Sequence, residues 1–189
     1  MPQLNLSPVE RKSLLRLARE TLQAALTEQP DRPLKAFEEE DNLSDRLLEN
    51  LPCFVTLTQK NGRLRGCVGC TVSYNSLYKN VYHFTRQAAF EDPRFEPVQE
   101  EEIAGLNLDI TVLGPLQKLE DPSQIQIGKH GLYARFGGQS GLLLAQVATK
   151  NRWKTTEFMR QTCAKANLNY EDREKFEWFF FEEFEFSEH

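Results

Sequence analysis

The segment from residue 64 to residue 70 reads LRGCVGC and places a cysteine among glycines and a cation. A neighbouring glycine leaves the backbone without side-chain bulk, so a ligand could approach the sulfur of Cys67. In a regular strand, Arg63, Arg65 and Cys67 share one face, and a nearby cation favours a thiolate. Cys67 is therefore a candidate reactive or ligand-binding thiol, although the sequence alone favours a buried cysteine that acts as a small apolar residue.

A histidine stands between glycines in the sequence IGKHGL. His130 could act as a general base or as a donor to a substrate, or it could be a loop histidine bonded to a backbone carbonyl. If Cys67 is a nucleophile, His130 would be its base. Arg65 or backbone amides would then stabilise negative charge, and Asp92 or Asp109 could orient the ring.

The sequence Asp92-Pro93-Arg94-Phe95 offers a carboxylate and a guanidinium two residues apart. Asp92 could cap a helix end or begin a turn ahead of the proline. Arg94 could pair with Asp92 or bind an anion, and both possibilities stay open. We treat both residues as candidate binding residues.

Cys67 and Cys70 form a C-x-x-C pair, which invites a zinc or dithiol interpretation. A structural zinc site needs a second such pair or a spaced pair of histidines, and the remaining cysteines and histidines are scattered. A thioredoxin-like pair would begin a helix, whereas this one lies in an apolar, glycine-punctuated segment. We therefore expect no metal site, and the residues identify no cofactor.

Composition narrows the class of protein. The chain has 189 residues, with 23 Lys and Arg against 28 Asp and Glu, a net charge of -5. A mildly acidic chain lacks the positive field that attracts phosphate backbones, so no nucleic acid is expected as a partner. No apolar run approaches the roughly 20 residues of a membrane helix, and the first residues do not resemble a secretory signal. The chain is expected to be cytoplasmic and to contact no membrane.

Periodicity predicts the elements that must position these residues. Helices are expected from Ser7, where Ser7 and Glu10 form a capping box, from Ser76 to about Phe90, and from Thr155 or Thr156 to about Lys165. Strands and hairpins are expected over residues 53–58, 64–72, 106–112, 132–136, 142–145 and 175–186, with turns at Asn61-Gly62 and Gly137-Gly138. Residues 27–42 read as a solvated loop. Hairpins without a regular βαβ order predict an α+β fold with a mainly antiparallel sheet flanked by helices.

The ordered motifs of this chain resemble those of the AMMECR family, called AmmeMemoRadiSam system protein A in prokaryotes. The hallmark LRGC-hydrophobic-G is met by residues 64–69. The other matching segments, in order, are residues 54–57, 92–95, 127–132 and 141–147, and then Trp153, Phe158, Cys163 and Lys165-Ala166. The resemblance covers residues 7 to 186. Two departures are visible, since the family usually has Thr at Cys70 and Pro at Ala145, and the first makes the C-x-x-C pair incidental.

The resemblance implies one domain over residues 1–189, with two lobes, a cleft between them, and terminal segments sharing the larger lobe. It implies an accessory or ligand-binding or partner-binding component acting with Memo-like and radical-SAM proteins. No activity is established for the family, so enzyme chemistry stays open as the alternative, with Cys67 as nucleophile and His130 as base. The candidate binding residues are Arg65, Gly66, Gly69, Asp92, Arg94 and Gln146.

Overall fold

The structure, a computed structural model, describes residues 6–39 and 43–188. The chain forms two compact units. Unit 1 comprises the described residues within Met1–Val112 and Phe184–His189, and unit 2 comprises Leu113–Glu183.

Unit 1 contains five helices among its described residues: α1 Pro8–Ala24, α2 Arg32–Glu38, α3 Asp45–Leu48, α4 Leu77–Phe90 and α5 Glu100–Ile103. The predicted capping box of α1 is confirmed. The Ser7 hydroxyl accepts from the Glu10 amide, and the Glu10 carboxylate accepts from the Ser7 amide at 2.6 Å. These bonds satisfy amides that the first helical turn leaves without intrahelical partners.

The prediction of a solvated loop over residues 27–42 is wrong, because α2 lies within it. Pro33 stands in the first turn of α2, where a missing amide hydrogen costs nothing. Phe37 is 3% exposed and packs into the core of unit 1. This burial of apolar surface stabilises α2 although most of its neighbours in the sequence are polar. The acidic residues Glu40 and Asp41 lie outside the described residues.

The Cys67 segment belongs to a sheet of three antiparallel strands: β1 Cys53–Gln59, β2 Leu64–Gly69 and β3 Leu106–Leu113. Cys67 itself lies in β2. β1 lies between β2 and β3. The predicted turn is confirmed, since Gly62 joins β1 to β2 with a φ of +80°. Alternate residues of β1, namely Cys53, Val55 and Leu57, are fully buried in the core. The intervening residues of β1 therefore lie on the opposite face of the sheet.

Unit 2 contains β4 Gln117–Lys118, β5 His130–Phe136, β6 Gln139–Leu143, α6 Ala145–Lys150 and α7 Thr155–Lys165, and β7 Glu177–Ser187 crosses from it into unit 1. Its strands run antiparallel in the order β4-β7-β5-β6. Phe181 in β7 is fully buried, as a central strand requires.

Two predicted boundaries in unit 2 are wrong. The second hairpin strand ends at Leu143, and Ala145 instead begins α6, where its amide donates to the Glu183 carboxylate at 3.1 Å. The residue that caps α7 is Lys154, with no side-chain hydrogen bond, rather than a threonine. Neither boundary changes the class, and the α+β fold with a mainly antiparallel sheet and flanking helices is confirmed. Among the described residues, no helix combines the length and apolar character needed to cross a membrane.

Candidate functional site

The backbone of Cys67 lies at the outer edge of the β2-β1-β3 sheet, where a strand leaves amide and carbonyl groups without a neighbouring strand. Side chains take over this role. The Cys67 amide donates to Oδ2 of Asp92 at 2.9 Å, and Nη2 of Arg94 donates to the Cys67 carbonyl at 3.2 Å. The loop after α4 therefore fixes the backbone of Cys67 in place of a fourth strand.

Asp92 and Arg94 also hold each other. Oδ1 of Asp92 accepts from the Arg94 amide at 3.1 Å and from Nε at 2.9 Å, and Oδ2 accepts from Nη2 at 2.7 Å. These bonds, together with the one from the Cys67 amide, hold the pKa of Asp92 well below its usual range although burial opposes them. Both carboxylate oxygens of Asp92 are thus engaged in holding Arg94 and Cys67.

The sulfur of Cys67 lies on the face of the sheet opposite the core. Thr56 is the direct cross-strand partner of Cys67, and its hydroxyl donates to the sulfur with an Oγ1–Sγ distance of 3.3 Å. The cysteine is half-buried, and the Arg94 side chain is 53% exposed. The pKa of Arg94 is raised mainly by its hydrogen bonds to Asp92, with a smaller contribution from Cys67. The thiol therefore has a hydroxyl donor on one side and a solvent-accessible guanidinium nearby.

Arg65 does not contribute an unbalanced charge to this site. Its Nε and Nη2 donate to the two carboxylate oxygens of Glu102 at 2.8 and 2.9 Å. The Arg65 side chain is 11% exposed, and the ion pair raises its pKa. Glu102 also accepts from the Gln99 amide, which fixes the carboxylate at the start of α5. Arg63 is exposed on the turn between β1 and β2.

The glycines of the motif show the close backbone approach that they predict. A Cβ atom on Gly66 would lie 2.0 Å from the carbonyl oxygen of Ala88 in α4. A Cβ atom on Gly69 would lie 2.3 Å from the carbonyl oxygen of Cys53 and 2.5 Å from the ring of Phe54. Gly66 and Gly69 therefore let β2 pack against its neighbours and bring Cys67 to its position.

The other candidate residues belong to unit 2. His130 is the first residue of β5, is 5% exposed, and stacks on Phe180 with ring centroids 4.7 Å apart. Its Nδ1 accepts from the Gln126 amide at 3.2 Å. Burial, and then the charge of Lys129, lower the pKa of His130, so the neutral ring is favoured. Gln146 lies half-buried in α6.

Cys67 and His130 thus fall in different units. The described residues of unit 1 include one histidine, His83, which is exposed on α4 with its ring against Tyr82. In the described part of the chain, no group of three or more His, Cys, Asp or Glu side chains is arranged to hold a metal ion.

Sequence reasoning missed Thr56 and Glu102. The turn between β1 and β2 alone does not place Thr56 opposite Cys67, because the register of the two strands shifts by one residue between Leu57 and Thr58. Nothing in the local sequence connects Glu102 to Arg65, which lies 37 residues earlier. Contacts of this kind depend on where two separate elements pack.

Comparison with known proteins agrees with the fold and shows the family. The AMMECR1 family profile matches residues 15–186. A protein of Nanoarchaeum equitans is 35% identical over 162 residues, covering 82% of this chain and 87% of the relative. A protein of Methanosarcina barkeri is 37% identical over 170 residues, covering 86% and 82%. The crystal structure of an uncharacterised protein from Pyrococcus horikoshii superimposes with a TM-score of 0.78 at 32% identity, covering 93% of this chain and 90% of that one.

The chain is thus an α+β protein with a glycine-framed cysteine on the edge strand of an antiparallel sheet. It belongs to the AMMECR1 family. The family resemblance noted from the motifs is confirmed, and it leaves function to be argued from the site.

Proposed function

We propose that this chain is a cytoplasmic binding component that acts with Memo-like and radical-SAM proteins through a site formed by Cys67 and Arg94. The observation that carries the proposal is the double clamp on Cys67. Asp92 holds its amide and Arg94 holds its carbonyl. A side chain on a clamped backbone loses little further freedom when a ligand or partner binds it. The site is therefore built to present a thiol in one position.

The geometry indicates which groups the site would accept. Arg94 uses Nε and Nη2 on Asp92 and Cys67, and the outer part of its half-exposed guanidinium faces solvent. Guanidinium groups recognise carboxylate and phosphate oxygens, and a thiol contacts apolar or soft atoms. A polar group with an acceptor oxygen beside an apolar portion fits this pair.

Isothermal titration calorimetry with purified Memo-like and radical-SAM proteins tests the proposal. We expect binding at micromolar concentration or tighter, weakened about tenfold by Arg94→Ala, since a hydrogen bond to a charged group contributes about 1.5 kcal/mol. Arg63→Ala is the matched control, because it removes the same charge from an exposed position on the adjoining turn. Failure of both proteins to bind, or equal weakening by Arg94→Ala and Arg63→Ala, would contradict the proposal.

The second candidate function is an enzyme with Cys67 as nucleophile and His130 as base. Its support is the accessible sulfur that accepts from Thr56 near a cation. Against it, Nδ1 of His130 accepts from the Gln126 amide, so the neutral ring carries its proton on Nε2 and acts there as a donor. Iodoacetamide labelling of Cys67 separates the two, since only the enzyme requires labelling to slow in His130→Ala.

A further inference from the structure

Cys53, the first residue of β1, lies directly opposite Cys70, the residue that follows β2. Phe54 pairs with Gly69, and one further step of the same register brings Cys53 opposite Cys70. The Cys70 amide donates to the Cys53 carbonyl at 3.0 Å, which extends the ladder past the end of β2. Residues in a hydrogen-bonded antiparallel pair have Cα atoms about 5.5 Å apart, within the range of about 4.4–6.8 Å that a disulfide spans.

The two sulfurs lie on the same side of the sheet. Cys53 is fully buried on the core face. Gly66 abuts α4, which packs on that face, and Cys70 shares its direction because it lies four residues later. Cys67 points to the other face, where Thr56 donates to it. The C-x-x-C pair of the sequence is thus divided between two faces, and the spatial partner of Cys70 is Cys53.

We propose that Cys53 and Cys70 form a reversible dithiol site whose oxidant is a low-molecular-weight disulfide. Both cysteines are free thiols in this structure. Oxidation would tie the end of β2, the strand that carries Cys67, to the start of β1. The proposal is independent of the function proposed above.

The difference in exposure sets the order of steps. Cys70 is half-buried and Cys53 has no exposed surface, so the small-molecule oxidant reacts with Cys70 first. The Cys70 thiol loses its proton, and its sulfur attacks one sulfur of the oxidant, which releases the first small thiolate. The Cys53 thiol then loses its proton, and its sulfur displaces the second small thiolate from the mixed disulfide at Cys70. Two protein thiols are oxidised to one disulfide, and the two thiolates take up the two protons as small thiols.

The test uses the full native chain incubated with glutathione disulfide. Remaining thiols are alkylated with iodoacetamide, and the tryptic peptides are read by mass spectrometry without reduction. We expect residues 47–60, which carry Cys53, to be linked to residues 66–79, which carry Cys67 and Cys70. Because the peptide of residues 66–79 contains both Cys67 and Cys70, the variants Cys67→Ser and Cys70→Thr show which of the two is bonded to Cys53. The link should persist in Cys67→Ser and disappear in Cys70→Thr, and dithiothreitol should reverse it.

A second measurement guards against misfolded variants. The oxidised wild-type chain and oxidised Cys67→Ser should both unfold at higher urea concentration than their reduced forms, because the bond restricts the unfolded chain. Treatment of Cys70→Thr should leave its midpoint unchanged. The proposal is overturned if residues 66–79 close on themselves through Cys67 and Cys70. It is also overturned if oxidation stops at a mixed disulfide on Cys70 while Cys53 stays a free thiol.

Discussion

The amide of Cys67 donates to the carboxylate of Asp92, a hydrogen bond that joins residues 25 positions apart at the edge of a sheet. Asp92 in turn holds Arg94, which donates to the carbonyl of Cys67. A pair of charged side chains therefore completes the backbone hydrogen bonding of an edge strand. This arrangement protects the edge from pairing with another chain and keeps the thiol side of β2 accessible.

Replacing Asp92 by Asn should destabilise the chain. The substitution removes the charge that Arg94 and the Cys67 amide bind, in a side chain that is 3% exposed. Hydrogen bonds to charged groups contribute about 1.5–3 kcal/mol, so we expect a loss of roughly 2 kcal/mol. Urea unfolding at pH 7 measures it. Glu177→Gln, which breaks an exposed ion pair with Arg135, is the control and should leave the midpoint unchanged.

The effect of Asp92 should depend on pH in one direction. The pKa of Asp92 is lower in the folded chain than in the unfolded chain, where it is about 3.9. The stabilisation is therefore complete above that value and is lost as the pH falls through it toward the lower folded pKa. The gap between wild type and Asp92→Asn should be constant from about pH 7 to pH 5 and narrow from about pH 4 to pH 2. A gap that widens on acidification would contradict this account.

Replacing Gly66 by Ala should be among the most damaging small changes in unit 1. The new Cβ would lie 2.0 Å from the carbonyl oxygen of Ala88, and two backbone segments cannot both keep their positions. We expect a loss of about 3 kcal/mol, at the upper end for overpacking. Gly62→Ala meets no atom within 4 Å, and its cost of about 1 kcal/mol comes only from its positive φ. Equal urea midpoints for the two variants would contradict the prediction, because they would mean that β2 can shift away from α4 at little cost.

The local elements followed from the sequence because each carried its own signal. The capping box at Ser7, the Asn61-Gly62 turn and the alternation over β3 are short-range patterns, and the structure places an element at each. The helix α2 was missed because the residues that pack it on the core, Pro33, Leu34 and Phe37, stand in a short stretch rich in charged residues and proline. A helix of seven residues spans about two turns, which is too short for a helical period to stand out.

The candidate site was predictable in its residues and much less so in its contacts. The glycines around Cys67 indicated a close approach, and the structure identifies α4 as the neighbour. The balance of Arg65 by Glu102 depends on the packing of α5 beside β2, which no local pattern contains. The spacing of Cys67 and Cys70 suggested a pair, whereas strand alternation separates them.

Native-state labelling should rank the four cysteines by exposure. Cys67 and Cys70 are half-buried, whereas Cys53 and Cys163 are buried. Burial raises the pKa of the Cys53 thiol well above its ordinary value and also raises the pKa values of Cys70 and Cys163, which slows the alkylation of all three, so the difference in exposure sets the order between them. With iodoacetamide at neutral pH, Cys67 and Cys70 should be modified first, and the other two only after urea is added. Early modification of Cys163 would contradict the assigned core of unit 2.

The charge of His130 should respond to one neighbouring lysine. Burial and then Lys129 lower the pKa of His130 below 6.5, and Glu182 opposes them. Lys129 also pairs with Glu182 at 2.9 Å, so Lys129→Ala removes a repulsion and at the same time frees an attraction. Both effects favour the imidazolium, and the ring proton resonances followed by NMR should titrate at higher pH in the variant. Lys118→Ala, whose lysine pairs with Glu120, is the control and should leave the titration unchanged.

The pKa of His130 is lower in the folded chain than in the unfolded chain, so the neutral ring contributes stability above about pH 6.5 that is lost as the pH falls. Lys129→Ala should reduce that loss. An unchanged or lower pKa in Lys129→Ala would contradict the influence assigned to Lys129.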